Sequence, residues 1–137
     1  MQIKPYSQYC ETEILPLYQA VGWSNYYEHP EMVAGAYQNS LCTLAAYEDE
    51  KLAGIIRCVG DGHSIVFIQD ILVYPEYQRR GIGTALMRAV LDQYRHVYQI
   101  ELATDNTEKT VSFYQSLGFR LLQDMGCCAF LKSGQTE

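Results

Sequence analysis

The sequence predicts an α/β fold, with a mixed, partly antiparallel sheet flanked by helices and gathered in one domain. Three observations predict it. Two short apolar runs joined by a polar tip read as an antiparallel hairpin. A near-continuous apolar run over residues 65–74 reads as a central strand covered on both faces. Beyond it, helical stripes alternate with strand-like runs, which is how a mixed sheet acquires flanking helices. At 137 residues the chain is long enough for one ordinary core and too short for two substantial ones. The expected boundaries are one domain over residues 1–132 and a polar tail over residues 133–137.

Taken in order, residues 11–21 set Ile14, Leu15, Leu17 and Tyr18 on one helical face, while Pro16 restricts where that helix can begin. Gly22-Trp23-Ser24-Asn25 breaks the pattern. Pro30, a favoured first-turn residue, opens a second short helix carrying Met32, Val33, Ala36 and Tyr37 toward Asn39-Ser40. Both helices precede the sheet in this reading. Residues 41–47 and 52–59 form the hairpin around Glu48-Asp49-Glu50-Lys51, and Gly60-Asp61-Gly62 makes the next turn. From Gly81 to Arg95, the residues Ile82, Ala85, Leu86, Ala89 and Val90 recur at three- and four-residue steps and mark a helix with one buried stripe. A strand follows at residues 98–103. Thr107 can cap a helix that Gly118 stops. Residues 119–122 and 127–131 read as the last strands. The order of strands is not readable from the sequence.

The composition excludes several functions. A formal charge of -6 argues against nonspecific nucleic-acid binding, which draws on clustered Lys and Arg, and leaves room for a cationic substrate. The opening residues lack the apolar stretch of a secretory signal, and no apolar run is long enough to span a bilayer. Cys10, Cys42, Cys58, Cys127 and Cys128 are odd in number and carry no CxxC spacing. They read as reduced thiols of a cytoplasmic protein. No His, Cys and carboxylate cluster has zinc-ligand spacing, so no metal is expected. His63 sits in a solvated turn, and His29 and His96 invite no chemistry.

The loop Gln78-Arg79-Arg80-Gly81-Ile82-Gly83 carries the functional signal. A helix start leaves backbone N–H groups without partners and adds the positive end of the peptide dipoles, so an anion fits there. Gly81 and Gly83 remove side chains that would keep a phosphate away, and Arg79 and Arg80 add positive charge. The dinucleotide fingerprint is rejected because Leu86 occupies the third-glycine position and seven residues, Tyr74 to Arg80, separate strand from glycine. Glu101 lies roughly where that fingerprint wants its acid, without rescuing it. A Walker loop lacks its Gly-Lys-Thr/Ser.

Ile71-Leu72-Val73 followed by Gln78-Arg79-Arg80-Gly81-Ile82-Gly83-Thr84 resembles motif A of the GCN5-related N-acetyltransferases. Phe113-Tyr114-Gln115-Ser116-Leu117-Gly118-Phe119 is similar to that family's C-terminal helix and strand. Together the two stretches extend the likeness over roughly half the chain. The resemblance implies the acyl-CoA N-acyltransferase fold and acetyl-CoA as cosubstrate. It implies that the backbone of Ile71 and Val73 holds the pantetheine arm, that Gln78 through Thr84 hold the pyrophosphate, and that Asn106 contacts the pantetheine. It also implies that Tyr114 protonates the departing thiolate, a task its hydroxyl suits; by helical spacing alone Tyr114 is a packed aromatic.

An amine attacks only when neutral, so the site must accept its proton. Asp70, interrupting an apolar strand, has two readings: a general base facing a cleft, or a structural acceptor paired with a backbone amide or Arg57. Glu101 is the weaker alternative base. Strand alternation puts Gln69 on the face opposite Asp70, where it could orient substrate. Trp23, Tyr26 and Tyr27 fall in the region that in the family lines the acceptor site; equally, they are local packing under a loop. The resulting expectation is transfer of an acetyl group from acetyl-CoA to a primary amine, small molecule or protein, by direct attack in a ternary complex. The alternative is an acetyl-CoA-binding sensor without catalysis. A homodimer is compatible with the family, although no residue pattern defines an interface.

Overall fold

Five strands and five α-helices run through a computed structural model that describes residues 1–134. They are β1 (Gln2–Pro5), α1 (Glu11–Ala20), α2 (Ser24–Tyr27), α3 (Pro30–Gln38), β2 (Cys42–Glu48), β3 (Lys51–Gly60), β4 (Ile65–Val73), α4 (Ile82–Gln93), β5 (Gln99–Leu102) and α5 (Glu108–Ser116). The expected α/β class with a mixed sheet and flanking helices is what the chain adopts. The strands lie in chain order, β1 to β5, antiparallel up to β4 and parallel between β4 and β5. The chain divides into two compact units, Met1–Ala103 and a second beginning at Thr104.

In the first unit the sheet carries helices against its alternating residues. Ala45, Ile55 and Leu72 stand in register across β2, β3 and β4 and join Ile14, Leu17 and Tyr18 of α1 and Val33 of α3 in one buried cluster. The neighbouring row, Leu44, Ile56 and Ile71, turns the other way. On that side α4 buries Ile82, Leu86, Met87 and Val90, the stripe its spacing predicts. α1 runs through Pro16. Burial of Ile14, Leu17 and Tyr18, all at 0% exposure, outweighs the one helical hydrogen bond that Pro16 cannot make.

The hairpin turns on Asp49 and Glu50, both left-handed at φ 48° and 67°, the geometry that matches strand twist in a two-residue loop. In the next turn the Asp61 carboxylate accepts from the backbone N–H of His63, Ser64 and Ile65 and from the Ser64 hydroxyl. Those bonds, that of the Ser64 side chain first, hold its pKa well below the usual carboxylate value. A depressed carboxylate adds stability above its unfolded pKa and loses it as pH falls through the folded one. Asp61→Ala is therefore expected to lower the melting temperature at pH 7, with the gap to wild type narrowing progressively once pH falls below the ordinary carboxylate range. A gap that is constant from pH 7 to pH 2 would disprove this role.

The structure corrects the sequence reading in four places. β1 precedes the helices: it carries one strong apolar residue, Ile3, and Pro5, which an edge strand tolerates. The short α2 fills what the sequence reads as a break. Residues 119–122 and 127–131 form no strands among the described residues; Leu122–Met125 is a 3-10 turn, and Phe130 and Leu131 are 94% and 89% exposed. Strand propensity reports a fit to a pleated surface, and a ladder also needs a neighbour. The fourth correction concerns Gln69 and is described with the site. Ser133 and Gly134 are exposed and irregular, and the rest of the expected tail, residues 135–137, lies outside the described residues.

Candidate active site

The glycine loop lies in the first unit, between β4 and α4. After a 3-10 turn at Pro75–Tyr77, Arg79 adopts φ 66° and Gly81 φ 80°, and α4 begins at Ile82. The first intrahelical bond runs from Ala85 N–H to the Gly81 carbonyl, at 2.9 Å. The amides of Ile82, Gly83 and Thr84 therefore have no carbonyl within the helix to bond. No side chain caps this helix start and no acid sits in its first turn. By contrast, the first turns of α1, α3 and α5 carry Glu11 and Glu13, Glu31, and Glu108. Arg80 lies over the Tyr77 ring at 5.4 Å, and Arg79 is exposed beside the loop.

A side chain added at Gly81 would meet nothing within 4 Å, and at Gly83 only the Val73 Cγ2, at 4.0 Å. Gly81 is required for its positive φ. Gly83 is required by no packing at all: it keeps open space in front of the amides. An uncapped, acid-free helix start with an adjacent arginine and room at both glycines fits a phosphate.

Next to this loop β4 loses one neighbour. β5 pairs with Ile65 to Ile68 only, so the β5-side edge of β4 is unpaired from Gln69 onward. Tyr74 N–H bonds the Ala53 carbonyl on the β3 side at 2.9 Å. Strand alternation then turns the backbone groups of Leu72 toward β3 and those of Ile71 and Val73 toward the unpaired edge. The Gln78 side chain reaches the Val73 carbonyl at 3.2 Å. Ile71, Val73 and Gln78 through Thr84 are thus brought together, offering an extended ligand both a strand edge and a phosphate cradle.

A bulge in β4 decides the surroundings of Asp70. Pairing with β3 passes from Arg57↔Asp70 to Cys58↔Ile68, leaving Gln69 as the extra residue. Contrary to simple alternation, Gln69 then serves the same side as Asp70: its amide lies 3.4 Å from the Tyr26 hydroxyl. Tyr26 stacks on Tyr18 at 4.9 Å, and Tyr18 donates to Asp70 Oδ2 at 2.7 Å. Arg57 Nε donates to the same oxygen at 2.7 Å, with side-chain exposures of 5% and 0% for the pair. Arg57 also donates to the Ser40 hydroxyl and lies over the Tyr37 ring. Burial works against the Arg57 charge, but Asp70 and the neighbouring tyrosines hold its pKa above the ordinary value. Burial and Tyr37, with Asp70 adding, push the Tyr18 hydroxyl far up, so it stays a donor.

Of the two readings of Asp70, the pair with Arg57 is the arrangement found. Asp70 is 1% exposed, and a base that hands protons to substrate or water needs access. Its Oδ1 is buried without a hydrogen-bond partner. Glu101, half-buried on β5, stands opposite Phe67. Trp23, Tyr26 and Tyr27 pack around α2 against the core cluster, each partly exposed. Tyr18 and Tyr37 were invisible as site residues; their signal is a hydroxyl on an apolar helical stripe, which says nothing of a partner 52 residues away.

In the second unit, Thr107 caps α5, its hydroxyl accepting from Thr110 N–H, and Gly118 ends it at φ 96°. Asn106 is exposed just before that cap. Tyr114 packs edge-on against Phe113 and Phe119, at 5.0 and 5.9 Å between centroids. Burial raises its pKa, opposed by a hydrogen bond with Thr104 and aided by Asp105, so the hydroxyl holds its proton at neutral pH.

Sheet order, the strand edge freed beside β5 and the glycine loop at the start of α4 define an acyl-CoA N-acyltransferase architecture. The chain belongs to the acetyltransferase (GNAT) family, whose family model matches residues 8–119. A solved GNAT family acetyltransferase from Streptococcus pneumoniae TIGR4 is 41% identical, with a TM-score of 0.88 and 98% of each chain covered. An uncharacterized N-acetyltransferase, ycf52-like, from Prochlorococcus marinus is 33% identical over 86% of this chain and 67% of the relative. The chloroplastic GCN5-related N-acetyltransferase 2 of Arabidopsis thaliana is 41% identical over 53% of this chain. This chain spans only 28% of that plant protein. No helix among the described residues is long and apolar enough to cross a membrane.

Proposed function

We propose that this chain, with residues 1–132 as its working domain, moves an acetyl group from acetyl-CoA to a primary amine by direct attack in a ternary complex. The observation that carries the reading is the open phosphate cradle of α4 beside the unpaired β4 edge at Ile71 and Val73. The cradle amides of Ile82, Gly83 and Thr84, with Arg79, bind the pyrophosphate, and the strand edge aligns the pantetheine. The acetyl thioester supplies the activated acyl group. The amine attacks in its neutral form, a C–N bond forms as the C–S bond breaks, the nitrogen gives up one proton to solvent, and Tyr114 gives its proton to the departing thiolate and regains one from solvent. Asn106 contacts the pantetheine arm. No enzyme nucleophile is needed.

We assign Asp70 a positioning role. Through Arg57 and Tyr18 it holds the aromatic group around Tyr26, which with Trp23, Tyr27 and Gln69 forms the acceptor surface. Aromatic faces and a net charge of -6 suit a small cationic amine. Five free cysteines suit a reducing, cytoplasmic setting.

Calorimetric titration with acetyl-CoA tests the reading. Wild type is expected to bind. Gly83→Trp, filling the space before the amides, is expected to abolish binding. Gly83→Ala is expected to fold with stability raised by about 0.5–1 kcal/mol, because alanine suits a helix better than glycine, and yet to bind acetyl-CoA more weakly. A folded wild type that binds no acetyl-CoA would overturn the proposal. Binding without acetyl transfer to any of a panel of primary amines would favour the sensor.

A further inference from the structure

Two free cysteines face each other inside the sheet. Cys42 of β2 stands in register with Cys58 of β3. Bonds on either side fix the orientation of that ladder: Tyr6 N–H bonds the Thr43 carbonyl on the β1 side, and Tyr74 N–H bonds the Ala53 carbonyl on the β4 side. By strand alternation the backbone groups of Cys42 and Cys58 turn toward each other, a hydrogen-bonded pair with Cα atoms about 5.5 Å apart. Disulfides span roughly 4.4–6.8 Å between Cα atoms. Directly opposed residues put their side chains on one face, here that of Leu44 and Ile56, which α4 covers. From the last residue of α4, Gln93 Nε2 donates to the Cys42 Sγ at 3.7 Å. Burial, and then the Cys42 sulfur beside it, raise the Tyr94 pKa, so that hydroxyl also stays a donor.

The two thiols differ in access. Cys42 is partly exposed and is the first residue of β2, after irregular chain at residues 39–41, while Cys58 is 0% exposed. Burial, then the Cys42 sulfur, pushes the Cys58 thiol up to about 12, so on its own it stays protonated and out of reach. We infer that Cys42 and Cys58 form a peroxide-responsive dithiol that closes to an intrachain disulfide and reopens on reduction. The Cys42 thiolate attacks a peroxide oxygen, the O–O bond breaks, and Cys42 becomes a sulfenic acid while the released hydroxide takes up a proton. The Cys58 sulfur then displaces the sulfenic hydroxyl, which leaves with the Cys58 proton as water. Two thiols and one peroxide thus give one disulfide and two waters, with two electrons passing from sulfur to oxygen. Oxidation of Cys42 removes the charge that helps keep Cys58 protonated, and the fixed pairing holds the two sulfurs together for the second step. Opposed Cβ atoms in a hydrogen-bonded pair lie roughly 5.5 Å apart, and a disulfide needs about 3.5–4.5 Å. Closure therefore draws Cys42 inward, which its place at the end of β2 allows. The strain left in the bond makes it readily reducible, the behaviour of a switch and not of a staple.

The test treats the folded full chain with hydrogen peroxide, then alkylates it in denaturant, digests it with trypsin and reads the peptides by mass spectrometry. Cys10, Cys127 and Cys128 are exposed, so a Cys10→Ser/Cys127→Ser/Cys128→Ser background keeps the fold and leaves Cys42 and Cys58 as the remaining thiols. The expected product, in this background and in wild type, is a Cys42 peptide linked to a Cys58 peptide and lighter than the reduced pair by two hydrogens. Dithiothreitol should restore both thiols. With Cys58→Ala added, the oxidised Cys42 loses its partner and dimedone should trap it as the sulfenic acid. With Cys42→Ala added instead, Cys58 should stay reduced. A Cys42 sulfenic acid that persists beside a reduced Cys58 in the folded chain overturns the inference. So does a pair that links only in urea, or one that stays reduced at peroxide concentrations that oxidise Cys10 of wild type.

Discussion

Arg57→Met is expected to destabilise the fold by about 3–5 kcal/mol, the range for removing one partner of a buried ion pair. Asp70 would be left 1% exposed with its charge uncompensated. Tyr18 would remain as the donor to Oδ2, while Oδ1 has no partner even in wild type. The loss should appear as a lower urea midpoint with an unchanged slope. Replacing both partners, Arg57→Met with Asp70→Leu, should recover much of it, because two apolar side chains leave no charge stranded. A single-variant loss below about 1 kcal/mol, the level of an exposed pair, would mean that water reaches Asp70 and that its reading as a buried anchor is wrong.

Tyr114→Phe is expected to lower kcat by about 10²–10⁴-fold, the usual worth of a positioned general acid, while acetyl-CoA affinity stays close to wild type. Phenylalanine keeps the packing against Phe113 and Phe119 and deletes only the hydroxyl. The pH profile adds an independent readout. A general acid works while protonated, and burial sets the Tyr114 pKa above the ordinary tyrosine value. Its alkaline loss of rate should therefore begin above about pH 10 and disappear in the variant. An unchanged kcat would return Tyr114 to plain packing. A kcat loss matched by lost acetyl-CoA binding would instead mark Tyr114 as a binding contact.

Much of the local structure was legible because it depends on neighbours in sequence. The stripe of α4 follows from three- and four-residue spacing, the hairpin from two apolar runs around a polar tip, and the α5 ends from Thr107 and Gly118. The open start of α4 was legible for the same reason: Gly81 and Gly83 act on amides within a few residues of themselves. β1 escaped because an edge strand needs little apolar character when β2 supplies its ladder.

Strand pairing was the part that local pattern could not carry. Residues 127–131 have the side chains of a strand and no ladder, since a ladder depends on where another edge stands. The bulge at Gln69 is likewise a relation between β3 and β4, and it reverses which side Gln69 serves. The sequence alone determined the helix stripes, the glycine loop and through them the family, because those signals lie within one or two turns of chain. Only the tertiary structure decided that Asp70 is the buried partner of Arg57 and Tyr18. Those residues lie 13 and 52 positions away, and only packing brings them within hydrogen-bond distance, where desolvation favours pairing over exposure.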